Sequence, residues 1–222
     1  MKRLIILLVM LSSISYGQVM QISNLQDALT LKNDIGDKYL HLDPNVKGTP
    51  FIQKELQNVT IQGNKMKARY NANQDYMELD KDGKTVFFLP AIEYRFEVIF
   101  TDLNISYKAF EHEKLKYKFF KILARKDKAF LLSKEFVKFK PESKPKSNFE
   151  VYKPAKFERK KDSYFIKFKD KDMVVELPTK KSKFAKVFGD KASKIKAFLK
   201  KERINIKKEK DLIKVFNYFN TL

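Results

Sequence analysis

Residues 65–89 read KMKARYNANQDYMELDKDGKTVFFL. Met66, Ala68 and Tyr70 alternate with Lys65, Lys67 and Arg69, a period of two that sorts apolar and charged side chains onto opposite faces of an extended chain. Further on, 76–79 and 85–89 flank Asp82-Gly83, the dipeptide favoured in type I′ turns because both central residues need positive φ. A turn that short joins antiparallel neighbours; parallel strands need a crossover of a dozen residues or more. This stretch therefore predicts an antiparallel sheet.

The same grammar runs downstream. YRFEVIF (94–100), ISYKAF (105–110), LKYKFFKIL (115–123) and AFLLSKEFVKF (129–139) each mix aromatic or branched residues with interposed charges, and ARKDK (124–128) makes a tight hairpin of the last two. The residues at 141–154 carry three prolines and two serines without a period, which predicts a linker. KFERKKD (156–162), SYFIKFK (163–169) and MVVEL (173–177) add two or three strands, with a turn at 170–172 and Pro178 closing the region. Upstream, 18–58 is irregular. A short helix at 23–34 is indicated by Leu25, Ala28 and Leu29, and Pro44, Gly48 and Pro50 punctuate a loop.

The last 44 residues change period to 3.6. Ser182 is placed to cap a helix burying Phe184, Val187 and Phe188, which Gly189 stops. Asp190 is placed to cap a second with the stripe Ala192, Ile195, Phe198 and Leu199. A third begins near Lys208, has Glu209 and Asp211 in its first turn, and buries Leu212, Ile213, Phe216 and Phe219. The expected fold class is α+β: a twisted antiparallel sheet over 59–178, followed by basic helices over 179–222 packed on it. The strand pattern leaves open whether the sheet curls as far as a barrel.

The start of the chain, MKRLIILLVMLSSISYGQ, has Lys2 and Arg3, an apolar run from Leu4 to Leu11, and Ser15 and Gly17 at −3 and −1 of a cleavage site. It reads as a secretory signal over 1–17, cleaved near Gly17/Gln18, since the run is far shorter than the roughly 20 apolar residues of a membrane span. An exported product is expected, periplasmic or extracellular, with no membrane-spanning helix after cleavage. The absence of cysteine excludes disulfides, thiolate metal sites and lipidation at a new N-terminal cysteine.

Charge is uneven. Residues 1–100 carry 12 basic and 11 acidic side chains, 101–178 carry 21 and 12, and 179–222 carry 14 and 4, so nearly all of the net +20 lies in the second half. Only 6 of the 47 basic residues are arginine. Lysine is a hydrated point charge, whereas arginine supplies the planar fork that reads phosphates and base edges. Diffuse attraction to an anionic partner is thus expected: lipid headgroups, acidic polysaccharide or an acidic protein surface. Nucleic acid fits an exported chain poorly. Lys194, Lys200, Lys201, Lys207 and Lys208 are the candidate anion-binding residues; the alternative is that these lysines simply solvate the outer face of packed helices.

GTPFI (48–52), ARYNANQDYMEL (68–79), DGKTVFFL (82–89), FFKILARKDKAFLL (119–132) and the ending at 188–220 resemble a family of exported proteins of Gram-negative bacteria. The resemblance covers most of 47–220 and implies a polar RYN strand, a hairpin-rich middle and a closing helix rich in Lys and Leu. It implies export and architecture, and no active-site residue.

No G-x-S-x-G, P-loop or G-x-G-x-x-G occurs. His41 is isolated, and Glu111 and Glu113 in a strand would point away from His112, so neither histidine makes a metal site. Asp80 to Gly83 lacks the further spaced oxygens and closing Glu of a calcium loop. The chain is therefore expected to be non-enzymatic, without metal or cofactor. The alternatives are an outer-membrane barrel and a polysaccharide hydrolase whose two carboxylates are assembled in space.

Overall fold

The computed structural model describes residues 46–81, 83–91, 96–145 and 151–222. The leader at 1–17, the helix expected at 23–34, His41, Pro44, Asp82 and the start of the strand expected at 94 lie outside them. The described strands are β1 (Gln57–Ile61), β2 (Asn64–Asn71), β3 (Tyr76–Lys81), β4 (Lys84–Phe88), β5 (Glu97–Phe100), β6 (Ile105–His112), β7 (Lys116–Arg125), β8 (Ala129–Lys134), β9 (Val137–Lys140), β10 (Lys156–Arg159), β11 (Ser163–Phe168) and β12 (Val175–Glu176). Three helices follow: α1 (Lys181–Lys186), α2 (Ala192–Lys201), preceded by a 3-10 turn at Gly189–Lys191, and α3 (Glu209–Thr221). The fold is α+β.

Ten strands form one antiparallel sheet in the order β12-β11-β8-β7-β6-β5-β1-β2-β3-β4. Most neighbours are sequential hairpins. β3 and β4 end on the Lys81–Lys84 pair, with Gly83 at φ +77° and its N–H donating to Asp80 Oδ1 at 2.9 Å. The exceptions are β11 beside β8, paired from Ser163–Lys134 to Phe168–Ala129, and β1 beside β5, where only Val59–Phe100 and Thr60–Ile99 face each other.

The sheet curls without closing: β12 and β4 are its two edges. The curl brings Phe88 on β4 to 5.6 Å from Phe119 on β7, although five strands separate them in the sheet order. Tyr70, Met77, Leu79, Phe100 and Tyr107 fill the space between. Register puts Ala129 opposite Phe168 and Leu131 opposite Ile166. This row packs against Phe184, Phe188, Ile195, Leu199, Leu212 and Phe216 of the helical segment. The helices thus cover the face of β7, β8 and β11 that a closed barrel would turn inward, which is why the curl stops short.

The RYN stretch is a structural fastening. Arg69 donates twice to Glu78 Oε1, from Nε at 3.0 Å and Nη2 at 2.8 Å, and its guanidinium lies 3.8 Å from the centre of the Phe51 ring. Tyr70 points into the core. Asn71 Oδ1 accepts from the N–H groups of Asn73 and Gln74, both at 3.0 Å, turning the chain toward Asp75 at φ +64°.

Several local expectations change. Residues 129–139 are not one strand: β8 ends at Lys134, and β9 leaves for a two-stranded sheet with β10. Of the expected linker at 141–154, residues 146–150 lie outside the described residues; on either side of them Ser143 and Lys153 exchange backbone hydrogen bonds at 2.8 and 3.0 Å and prolong that ribbon. Lys180, not Ser182, occupies the N-cap of α1, and Asp190 lies in the 3-10 turn, so neither side chain caps.

Candidate functional site

At the helical end a cleft of about 670 Å³ opens where four segments converge. The β7–β8 turn brings Lys128, the residues after β11 bring Lys169 and Lys171, the end of α1 and the 3-10 turn bring Lys186 and Lys191, and α3 brings Phe219. Local bonds fix these segments: Lys169 N donates to Lys128 O at 3.0 Å, and Lys128 N to Asn220 Oδ1 at 3.1 Å.

The floor is aromatic. Phe188 and Phe219 have ring centres 5.0 Å apart, and Phe168 lies 5.8 Å from Phe219, edge to face. Lys171 Nζ sits 5.0 Å above the Phe168 ring. Five lysines rim the cleft against two acids, Asp170 and Asp190. Asp190 is engaged by Lys191 at 2.6 Å, which holds its carboxyl below the usual range. Among the described residues, Lys128, Lys169 and Lys186 make no ion pair, so their ammonium groups face solvent over an apolar floor. Such a site attracts anions at long range and offers a low-dielectric surface once one has arrived.

The five lysines named from the sequence are elsewhere. Lys194, Lys200 and Lys201 lie on α2, and Lys207 and Lys208 on the connection into α3; all are exposed, and none lines the cleft. Lys194 and Lys201 are two turns apart and share one line along α2, with Lys200 about 100° round the helix. Their stripe-mates Ile195 and Leu199 are buried, as expected. The cleft itself was not readable: its lysines sit in the turns ARKDK and KDKD and beside Gly189, each interpretable only as local punctuation.

A second cluster is buried and polar. Tyr70 OH donates to Asp75 Oδ1 at 2.5 Å, and Lys134 Nζ donates to both the Tyr70 and Asp75 oxygens. Alongside, Tyr107 OH donates to Glu135 Oε2 at 2.5 Å, and Arg159 Nη2 donates to Glu135 Oε1 at 3.2 Å. Gln53 ties the two halves, accepting from Tyr70 N at 3.1 Å and donating to Tyr107 OH at 3.5 Å. Burial shapes the acidities. It pushes the Tyr70 and Tyr107 hydroxyls well above 10, seconded by the charges of Asp75 and Glu135 respectively. It lowers Lys134 against the pull of Asp75, and it raises Glu135 against the hydrogen bond from Tyr107. Perturbed groups of this kind often mark active sites. Here Tyr70, Lys134, Asp75 and Glu135 are at most 6% exposed, so they present nothing to a substrate and instead tie β2 and β6 to the end of β8.

His112 ends β6: its Nδ1 accepts from the N–H groups of Lys114 and Leu115 at 3.1 and 3.2 Å, and its ring meets Phe165 edge-on at 5.5 Å. Among the described residues no three His, Cys, Asp or Glu side chains converge as a metal site, and no helix is long and apolar enough to cross a membrane. Comparison with protein-family models, with curated proteins and with solved structures gave no match.

Proposed function

We propose that this chain is an exported binding protein that holds an anionic envelope partner, acidic polysaccharide or phosphate-bearing headgroup, at its helical end. One observation carries the reading: the cleft in which Lys128, Lys169 and Lys186 stand unpaired over the Phe168, Phe188 and Phe219 floor. Lys194, Lys200, Lys201, Lys207 and Lys208 extend the positive surface around it and add encounter rate more than contact. A hydrolytic role has little to draw on in the buried carboxylates, since Asp75 and Glu135 are engaged by tyrosine, lysine and arginine inside the fold. A membrane barrel requires a closed ladder, and this sheet has two edges.

The test uses the mature protein with alginate and polyglutamate as probes, measured by calorimetry between about 0.05 and 0.3 M salt, a range over which the screening length falls from about 14 Å to about 6 Å. Binding should weaken steeply with salt. The pair Lys169→Gln and Lys186→Gln should lose more affinity than any pair drawn from the five outer lysines, with unfolding midpoints unchanged. Failure to bind either probe at low salt, or equal loss from both sets of pairs, refutes the cleft as the site.

A further inference from the structure

The lining of the cleft discriminates among anions. Besides its lysines and two aspartates, the side chains around it are Phe168, Val187, Phe188, Phe219 and Leu222; among the described residues that line it, none carries a hydroxyl, amide, imidazole or guanidinium group. A sugar brings many hydroxyls, and each one laid on apolar atoms without a partner costs free energy. Nor do the rings offer a stacking platform. Phe168 meets Phe188 at 89° and Phe219 at 78°, and Phe188, Phe168 and Phe219 are only 6%, 7% and 8% exposed, so their faces are spent on one another. The half-buried Val187 and Leu222 add aliphatic surface beside them.

The walls are set before a ligand arrives. Lys167 Nζ donates to Phe168 O at 2.9 Å and to Lys171 O, which closes the 168–171 turn and fixes the wall that carries Lys169 and Lys171. On the α1 side, Val187 N donates to Phe184 O and Lys191 N to Phe188 O, both at 3.1 Å, fixing the segment that follows Lys186. A volume of about 670 Å³ is that of a site for one small molecule, not of a groove that tracks a polymer. Ammonium groups on the rim above an apolar floor match a molecule that is anionic at one end and hydrocarbon along the rest.

We propose that the cleft takes a single-chain amphiphile, an alkyl phosphate or alkyl carboxylate, with its charge among Lys128, Lys169 and Lys186 and its chain on Val187, Leu222 and the phenylalanine floor. This narrows the anionic partner proposed above to one chemical class, and it rests on the cleft being an anion site. An acidic polysaccharide meets only the rim.

The probes are butyl, hexyl and octyl phosphate, octanoate and octyl glucoside, each below its micellar concentration, titrated into the mature protein by calorimetry. Affinity should rise roughly fourfold for each methylene fully buried, so about 200-fold from butyl to octyl phosphate at full burial and about fifteenfold at half burial. The heat-capacity change should become more negative along the same series. Octyl glucoside, which lacks the charge, should bind at least tenfold more weakly than octyl phosphate; the tighter of octyl phosphate and octanoate identifies the headgroup. Val187→Gln should flatten the chain-length series and leave alginate binding unchanged, whereas Lys169→Gln with Lys186→Gln should weaken both. Equal affinity for the three alkyl phosphates, with alginate still bound through the lysine pair, overturns this inference and leaves the anion site standing. Chain-dependent binding that survives the lysine pair, or octyl glucoside bound as tightly as octyl phosphate, overturns the inference and the anion site together.

Discussion

Replacing Tyr107 with Phe removes one oxygen and keeps the ring. Tyr107 is 1% exposed, and its contacts with Tyr70 at 5.0 Å and Phe100 at 5.5 Å survive the change. The losses are the 2.5 Å hydrogen bond to Glu135, which is left with Arg159 on its other oxygen, and the longer 3.5 Å bond that Gln53 donates to the hydroxyl. A hydrogen bond to a charged group contributes about 1.5–3 kcal/mol. The variant should therefore be about 2 kcal/mol less stable at pH 7, a large fraction of the roughly 5–15 kcal/mol typical of a domain. The pH dependence carries more information. In the unfolded chain Tyr107 loses its proton near pH 10; in the fold, burial and the Glu135 charge hold it well beyond that. Above pH 10 the folded state binds more protons than the unfolded one, so this tyrosine's contribution, whole below pH 10, is lost at about 1.4 kcal/mol per pH unit as pH rises toward the folded value. Phenylalanine has no such loss. The wild-type and Tyr107→Phe stabilities, measured by urea unfolding with far-UV circular dichroism from pH 7 to about 11.5, should converge above pH 10. A gap under about 0.5 kcal/mol at pH 7, or one that stays constant to pH 11.5, refutes the buried Tyr–Glu pairing.

Gly48→Ala should cost about 1–3 kcal/mol, because Gly48 sits at φ +82° and a Cβ there would meet the Phe157 carbonyl oxygen at 2.8 Å; an unchanged urea midpoint would show that the base of the ribbon is not tightly held. Mass spectrometry of the protein from its native host should find a mature N-terminus at or near Gln18, and an intact Met1 would overturn the exported assignment.

What the sequence disclosed is what short-range patterns encode. The Gly83 hairpin, the Met66–Ala68–Tyr70 row and the buried Leu212, Phe216 and Phe219 of α3 each follow from residues within a few positions of one another. The break inside 129–139 does not. Its cause is the burial of Lys134 and Glu135, and the partner that makes burial of Lys134 tolerable, Asp75, lies 59 residues away. A lysine in a β-rich pattern reads as solvent-facing because burying an unpaired charge is so costly, and only the fold supplies the pair. The cleft is illegible for the same reason: Lys128, Lys169 and Lys186 become neighbours only when three turns meet at the helical end. The β9–β10 ribbon was hidden by its prolines, which in the sequence read as linker punctuation.

The narrow pairing of β1 with β5 divides the sheet into a six-strand and a four-strand leaf. Their spine is two facing residue pairs, extended by the Thr101 N–H donating to Asn58 O at 3.1 Å. The clasp on the opposite side is made of side chains: the Tyr70 and Phe88 rings against Phe119, and Lys134 against Asp75. Such a book opens as a unit, so amide protection along β1 and β5 should vanish together when the clasp is loosened. An open spine would also bare two strand edges already matched to each other in sequence, so loosened molecules would exchange leaves between copies and form swapped dimers before they unfold.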